Sequence, residues 1–146
     1  MAKTKYGKYV ITEFEPGFKV DRGKPPLLWL GDDLIKGAIH FECVWFFPKP
    51  PEEKLEPKHE APTHTHDFDE IIGFIGTNPR DQRDLGAQLE IWLEDEKHII
   101  DKSCIIYIPK GMKHCPLKTT GQKYPIFHFV IGTTDKYDME ASNLST

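Results

Sequence analysis

What this chain has little of narrows its function first. No apolar run approaches the ~18 residues that a membrane-spanning helix requires, and no apolar stretch follows the charged start MAKTKYGKYV to make a secretory signal. Cysteine is scarce. Cys43, Cys104 and Cys115 are an odd number without framework spacing, so free thiols in a reducing cytoplasm are expected. Helical periodicity is missing at any length, and so is an internal repeat. Nor is there a basic excess. A formal charge of −4 and a pI near 6.0 give no general attraction to nucleic acid or anionic membranes, and neither is expected as a partner.

What is there instead is a chain of short strands. With 38% hydrophobic and 12% aromatic residues, 146 residues suffice for one core. Tyr9-Val10-Ile11 reads as a short strand and Glu15-Pro16-Gly17 as a turn; Leu27 to Leu30 reads as a strand or an extended packing arm. Ala38 to Phe47, AIHFECVWFF, is the strongest strand of the first half. Its odd positions, Ile39 through Phe47, are wholly apolar and are expected to be pure core; its even positions carry His40 and Glu42 and must touch water or a site. Pro48 to Pro62 is proline-rich, charged and without periodicity, and reads as a solvated loop.

Further strands are expected within Thr63 to Ile75, at Gln88 to Leu93, from His98, at Cys104 to Ile108 and at Tyr124 to Ile131. About eight to ten short strands divided by Gly/Pro turns predict an all-β, antiparallel sandwich or barrel. The expected division is an arm with short strands (1–37), a barrel core (38–132) and a polar, loosely ordered tail (133–146).

The chemistry concentrates in THTHDFDEIIGFIG, Thr63 to Gly76. Alternate residues of a strand share a face, so His64 and His66 can converge on one point, and Glu70 can reach it after a short bend. A fourth donor candidate lies in IPKGMKH, Ile108 to His114. Such a mixed N/O set suits divalent iron, manganese, nickel, cobalt, copper or zinc.

Together the two segments resemble the paired motifs of the cupin superfamily. His64, His66, Glu70 and Gly76 match the H-x-H…E…G pattern of the first; Pro109, Gly111 and His114 match the P-x-G-x-x-H of the second. The likeness spans roughly Ala38 to Ile131. It departs at framework positions, with Lys58 and Ser103 where each motif opens on glycine and Lys118 where the second closes on asparagine; Gly76 comes one residue early. The resemblance implies a cupin-type double-stranded β-helix, a jelly-roll barrel in a single domain. It also implies that His64, His66, Glu70 and His114 are the metal ligands, with iron first among the metals named. In this reading Pro109-Lys110-Gly111 makes a sharp turn that carries His114 into the barrel.

The expected function is then an enzyme acting on a small aromatic or oxygenated organic molecule, with a non-haem metal dioxygenase as the first reading. A non-redox isomerase, decarboxylase or lyase is the alternative, and a non-enzymatic ligand-binding cupin the third. His128, His40 and Tyr107 are the candidate catalytic groups, His128 foremost. Phe74 and Ile72, sharing Glu70's strand parity, are candidate substrate-binding residues. Arg80 and Arg83 are read as solvated loop charges before an anion clamp, and His59 and His98 as solvated. Cys115 is expected to face away from His114, as a buried thiol. A homodimer is expected, because small cupins commonly pair exposed sheets and the aromatics of Ala38 to Phe47 exceed one small interior's need.

Overall fold

A computed structural model describes residues 4–13, 26–49 and 61–136, and the backbone of 140–141. Ten strands form two five-stranded antiparallel sheets. They are β1 (Leu28–Leu30), β2 (His40–Phe46), β3 (His64–Thr65), β4 (Glu70–Gly76), β5 (Asp84–Leu93), β6 (Glu96–Lys102), β7 (Cys104–Ile108), β8 (His114–Thr120), β9 (Ile126–Gly132) and β10 (Glu140–Ala141). The first sheet runs β1-β2-β9-β4-β7 and the second β10-β3-β8-β5-β6. From β2 onward the chain crosses between the sheets at every step except the β5–β6 hairpin, as in a jelly roll. Among the described residues no helix is long and apolar enough to cross a membrane.

Strand alternation explains the core. Leu85, Leu89 and Ile91 of β5 are fully buried, while Gln88 is exposed and Glu90 partly so. They meet Ile72, Phe74, Ile106, Ile108, Ile126 and Val130 from the other sheet in one cluster. At about 1.5–3 kcal/mol for each fully buried aliphatic side chain, this layer is what closes the two sheets on each other.

The expected strands are found, Leu28–Leu30 among them as a sheet member paired with β2, with three differences. Tyr9-Val10-Ile11 is not a strand: Gly7–Tyr9 is a single 3₁₀ turn with no buried residue. The expected tail supplies β10, whose Glu140 and Ala141 pair with Thr65 and His64. The faces of β2 are largely the reverse of those expected. His40 is buried and Phe46 packs on Phe74 inside the barrel, whereas Ile39, Trp45 and Phe47 are exposed; Cys43, on that outer face, is buried. A wholly apolar face is usually the inward one; here the interior also accepts polar groups and the exterior is apolar too. The turn at Glu15-Pro16-Gly17 lies outside the described residues, as does most of the loop from Pro48 to Pro62, including His59.

Gly76, where β4 ends, is held by close backbone approach. A Cβ there would run into the carbonyl of Asp84 at the start of β5. Gly76→Ala is expected to cost at least about 1–3 kcal/mol, since backbone cannot rotate aside as a side chain can. Urea unfolding compared with the wild type measures it.

Candidate metal centre

The turn at Pro109-Lys110-Gly111 sets the geometry of the site. Gly111 has φ +81°, open to glycine at little cost, and its N–H donates to the His66 carbonyl at 2.9 Å. This bond ties the turn to the end of the H-x-H segment. Asp69 adds a second tie. Its carboxylate accepts from the Lys110 N–H at 2.8 Å and from the Tyr107 hydroxyl at 2.6 Å, and its carbonyl accepts from Thr133. Those bonds hold the Asp69 carboxyl below its usual range, the Tyr107 hydroxyl contributing most. Glu70 and His114 are thereby fixed relative to each other from the outside.

Inside, His64 pairs directly with His114 across β3 and β8. His64 Nδ1–H donates to the Pro62 carbonyl at 2.6 Å and His114 Nδ1–H to the Met112 carbonyl at 3.0 Å. A ring whose Nδ1 carries the proton presents a bare Nε2, the form in which imidazole binds a metal. Glu70 Oε2 stands 3.0 Å from His66 Nε2 and its Oε1 stands 3.3 Å from His114 Nε2. All four residues are at most 4% exposed.

Burial lowers the pKa of His64, with His114 and His66 adding to the effect and the Pro62 carbonyl opposing it. Burial also works against the Glu70 carboxylate, but His114 and His66 outweigh it and hold that group well below the usual carboxylate range. A carboxylate among imidazoles that shed their protons on binding a metal is a cation's donor set. The residues fit a divalent metal: His66, Glu70 and His114 bring ligand atoms within 4.8 Å of one another, and so do His64, His114 and Cys115. His114 belongs to both groups.

The other candidates separate clearly. His40 lies on the inner face, in register with Gly132 and, one strand further, with Glu70. Its Nε2 is 3.9 Å from Glu42 Oε2, and the Trp29 ring packs edge-on at 4.4 Å. His128 is two inward positions away, stacked between Phe74 at 4.4 Å and Phe46 at 5.2 Å, with Nδ1 bonded to the Gly73 carbonyl. His40, and not the favoured His128, is therefore beside the cluster. Tyr107 is a correction: it alternates with buried Ile106 and Ile108, so it faces outward and is 56% exposed.

Ile72 and Phe74 point inward and are buried, Ile72 adjoining Glu70 and Phe74 lying deeper against Phe46 and His128. Arg80 and Arg83 are exposed. Cys115 also departs from expectation, being buried on the same side as His114. Glu42, on the polar face of β2 expected to touch water or a site, joins His40 beside the cluster. Cys115 faces inward through a local irregularity that no residue pattern announces.

No family model and no curated protein matches the chain. Solved structures that resemble it include an oxalate oxidase (14% identity, TM-score 0.48, 80% of this chain and 54% of that one). Others are the polyketide cyclase RemF from Streptomyces resistomycificus (18%, 0.47, 83% and 70%) and the DMSP lyase DddQ from Ruegeria pomeroyi DSS-3 (16%, 0.44, 75% and 45%). The chain spans about half the length of the lyase and the oxidase. With the sheet order, the shared core and the motif residues at β3, β4 and β8 in view, the architecture is decided. The fold is a jelly-roll barrel of two antiparallel sheets, the architecture that the motif resemblance implies.

His40 supplies a test of the interior's polarity. Burial, opposed by Glu70, lowers its pKa from 6.5 to about 4. Between those values the unfolded chain binds the proton and the folded one does not, so stability falls as pH drops from about 6.5 to about 4. The loss is on the order of 3 kcal/mol at most. Urea midpoints of the metal-free protein across that range are expected to fall steeply, and less steeply in His40→Gln.

Proposed function

We propose that the protein is a metal-dependent enzyme whose divalent ion is held by His64, His66, Glu70 and His114. The observation that carries this reading is the pair of carbonyl-anchored imidazoles, His64 and His114, presenting Nε2 beside a buried, ionised Glu70. Iron is the first assignment and a small aromatic or oxygenated molecule the substrate class, which gives a non-haem dioxygenase as the leading activity. When bound, such an ion supplies a Lewis acid and, for iron, a one-electron couple. The chain's own contributions are separate from it. Trp29, Ile72, Val130 and Ile106 share an inward row next to the cluster and exclude water from it.

A second reading is favoured by His40 and Glu42. A buried, neutral imidazole next to a carboxylate suits accepting and returning a proton, which an isomerisation, decarboxylation or elimination would use. In either reading His40 is the group we assign to proton transfer. Protein purified without chelator is expected to carry about one equivalent of divalent metal. His64→Ala and His114→Ala are each expected to lose most of it, and wild-type affinity to weaken below about pH 6 as the imidazoles protonate. Metal content unchanged in both variants would overturn the ligand assignment. Oxygen uptake with small aromatic and oxygenated acids then separates the readings: uptake supports the dioxygenase, and turnover without uptake the non-redox enzyme.

We also propose that the protein is a homodimer through the outer face of the first sheet. What supports this is its composition. The outward positions are Leu28 and Leu30; Phe41, Cys43 and Trp45; Ile71, Gly73 and Ile75; Ile105 and Tyr107; and Phe127, Phe129 and Ile131, with no charge among these described residues. Trp45, Ile75, Ile105 and Tyr107 are exposed. A flat face without charge is self-complementary, as a two-fold interface must be. Light scattering at micromolar concentration is expected to give the dimer mass, and Ile105→Glu the monomer mass.

A further inference from the structure

In a regular strand His114 and Cys115 would point to opposite faces. Strand β8 is not regular there. Its register on β5 passes from His114 opposite Leu93 to Leu117 opposite Ile91, so three steps on β8 are matched by two on β5. One residue is extra, which is a β-bulge. Cys115 takes φ +71°, a conformation unfavourable for a residue with a Cβ and retained only where the surroundings impose it. Thr63 Oγ1 donates to the Cys115 carbonyl at 3.0 Å and pins the bulge to the strand that bears His64.

The consequence is chemical. His114 and Cys115, neighbours in sequence, are 1% and 5% exposed on the same side. Cys115 Sγ lies within 4.8 Å of the ligand nitrogens of both His64 and His114. Donors held 2.0–2.3 Å from one ion stand roughly 3–4.5 Å from each other, so a modest side-chain rotation brings the three into ligating distance. His114 Nε2 is itself buried, 3.3 Å from Glu70 Oε1, and His114 belongs both to the group with Glu70 and His66 and to the group with Cys115 and His64.

We propose that Cys115 supplies a sulfur ligand to the metal ion held by His64 and His114. The inference rests on the metal reading above and adds a donor to it. The ion then sees imidazole, carboxylate and thiolate together. Sulfur is the soft member, and it favours zinc, cobalt, iron or copper over manganese and excludes magnesium and calcium as residents. A buried thiol serving only as a small hydrophobe would exert no such preference.

The experiment uses the full chain, stripped of metal and reloaded with one equivalent of cobalt(II). A cobalt–thiolate bond gives an intense near-ultraviolet charge-transfer absorption that nitrogen and oxygen ligands do not. The wild type is expected to show it, Cys104→Ser to retain it and Cys115→Ser to lose it while still binding cobalt. Competition between zinc and manganese is expected to shift toward manganese by at least about tenfold in Cys115→Ser. Stoichiometric cobalt binding by the wild type without the absorption would overturn the sulfur ligand and leave the histidine and glutamate assignment standing. Persistence of the absorption in Cys115→Ser would overturn it equally. Failure of cobalt to bind at all would overturn both readings. Where Cys115→Ser does not fold, Cys115→Ala gives the same reading, and absence of the band in cobalt-loaded wild type overturns the proposal without either variant.

Discussion

A buried, ionised carboxylate is the constraint on which the rest of this structure depends. Glu70 is 3% exposed between two apolar sheets, and nothing about the aliphatic core around it offsets the loss of its hydration. His66 and His114 do so from one side each, and they in turn must be held. Backbone carbonyls hold the far nitrogens of His64 and His114, while Gly111 holds the His66 carbonyl. The cluster therefore specifies its own scaffold. Two strand ends, one glycine turn and one buried charge have to coincide before any of the three imidazoles is correctly aimed.

Much of this could be read from residues alone. The alternation of Gln88 to Leu93 predicts which side chains face the core, because that strand obeys the usual polarity of a half-buried sheet; Cys104 to Ile108, apolar at nearly every position, predicts a strand but not its faces. The histidine spacing reported the cluster, because a two-residue period is insensitive to small errors in strand ends. What failed were inferences that needed more than a period. On β2 the period holds and its direction does not, since an apolar face opposite a polar one ordinarily marks the core. Tyr107 is the complementary case: its chemistry suits a site, but its parity with Ile106 and Ile108 turns it outward. Cys115 failed because one inserted residue reverses parity locally, and a bulge has no compositional signature.

The first sheet thus reverses the ordinary arrangement. Its inward face carries His40, Glu42, Glu70 and His128 among aliphatic residues, and its outward face is aromatic and uncharged. Each half of that reversal requires the other to be explained. A barrel that devotes interior positions to polar groups gives up apolar burial there, and it has exterior apolar surface whose burial against a partner would restore some of that stabilisation.

Asp69 joins these two faces. Its carboxylate divides between Tyr107, whose ring belongs to the outer surface, and Lys110, in the turn that delivers His114; its own chain neighbour is Glu70. Interior and exterior are only a few bonds apart at this residue. Thermodynamic reciprocity gives that proximity a consequence. If fixing Tyr107 from outside changed how tightly the interior bound an ion, then loading the interior would change the outer surface by the same free energy. Covering one face and loading the other would then be two ends of a single equilibrium, with one aspartate as its fulcrum.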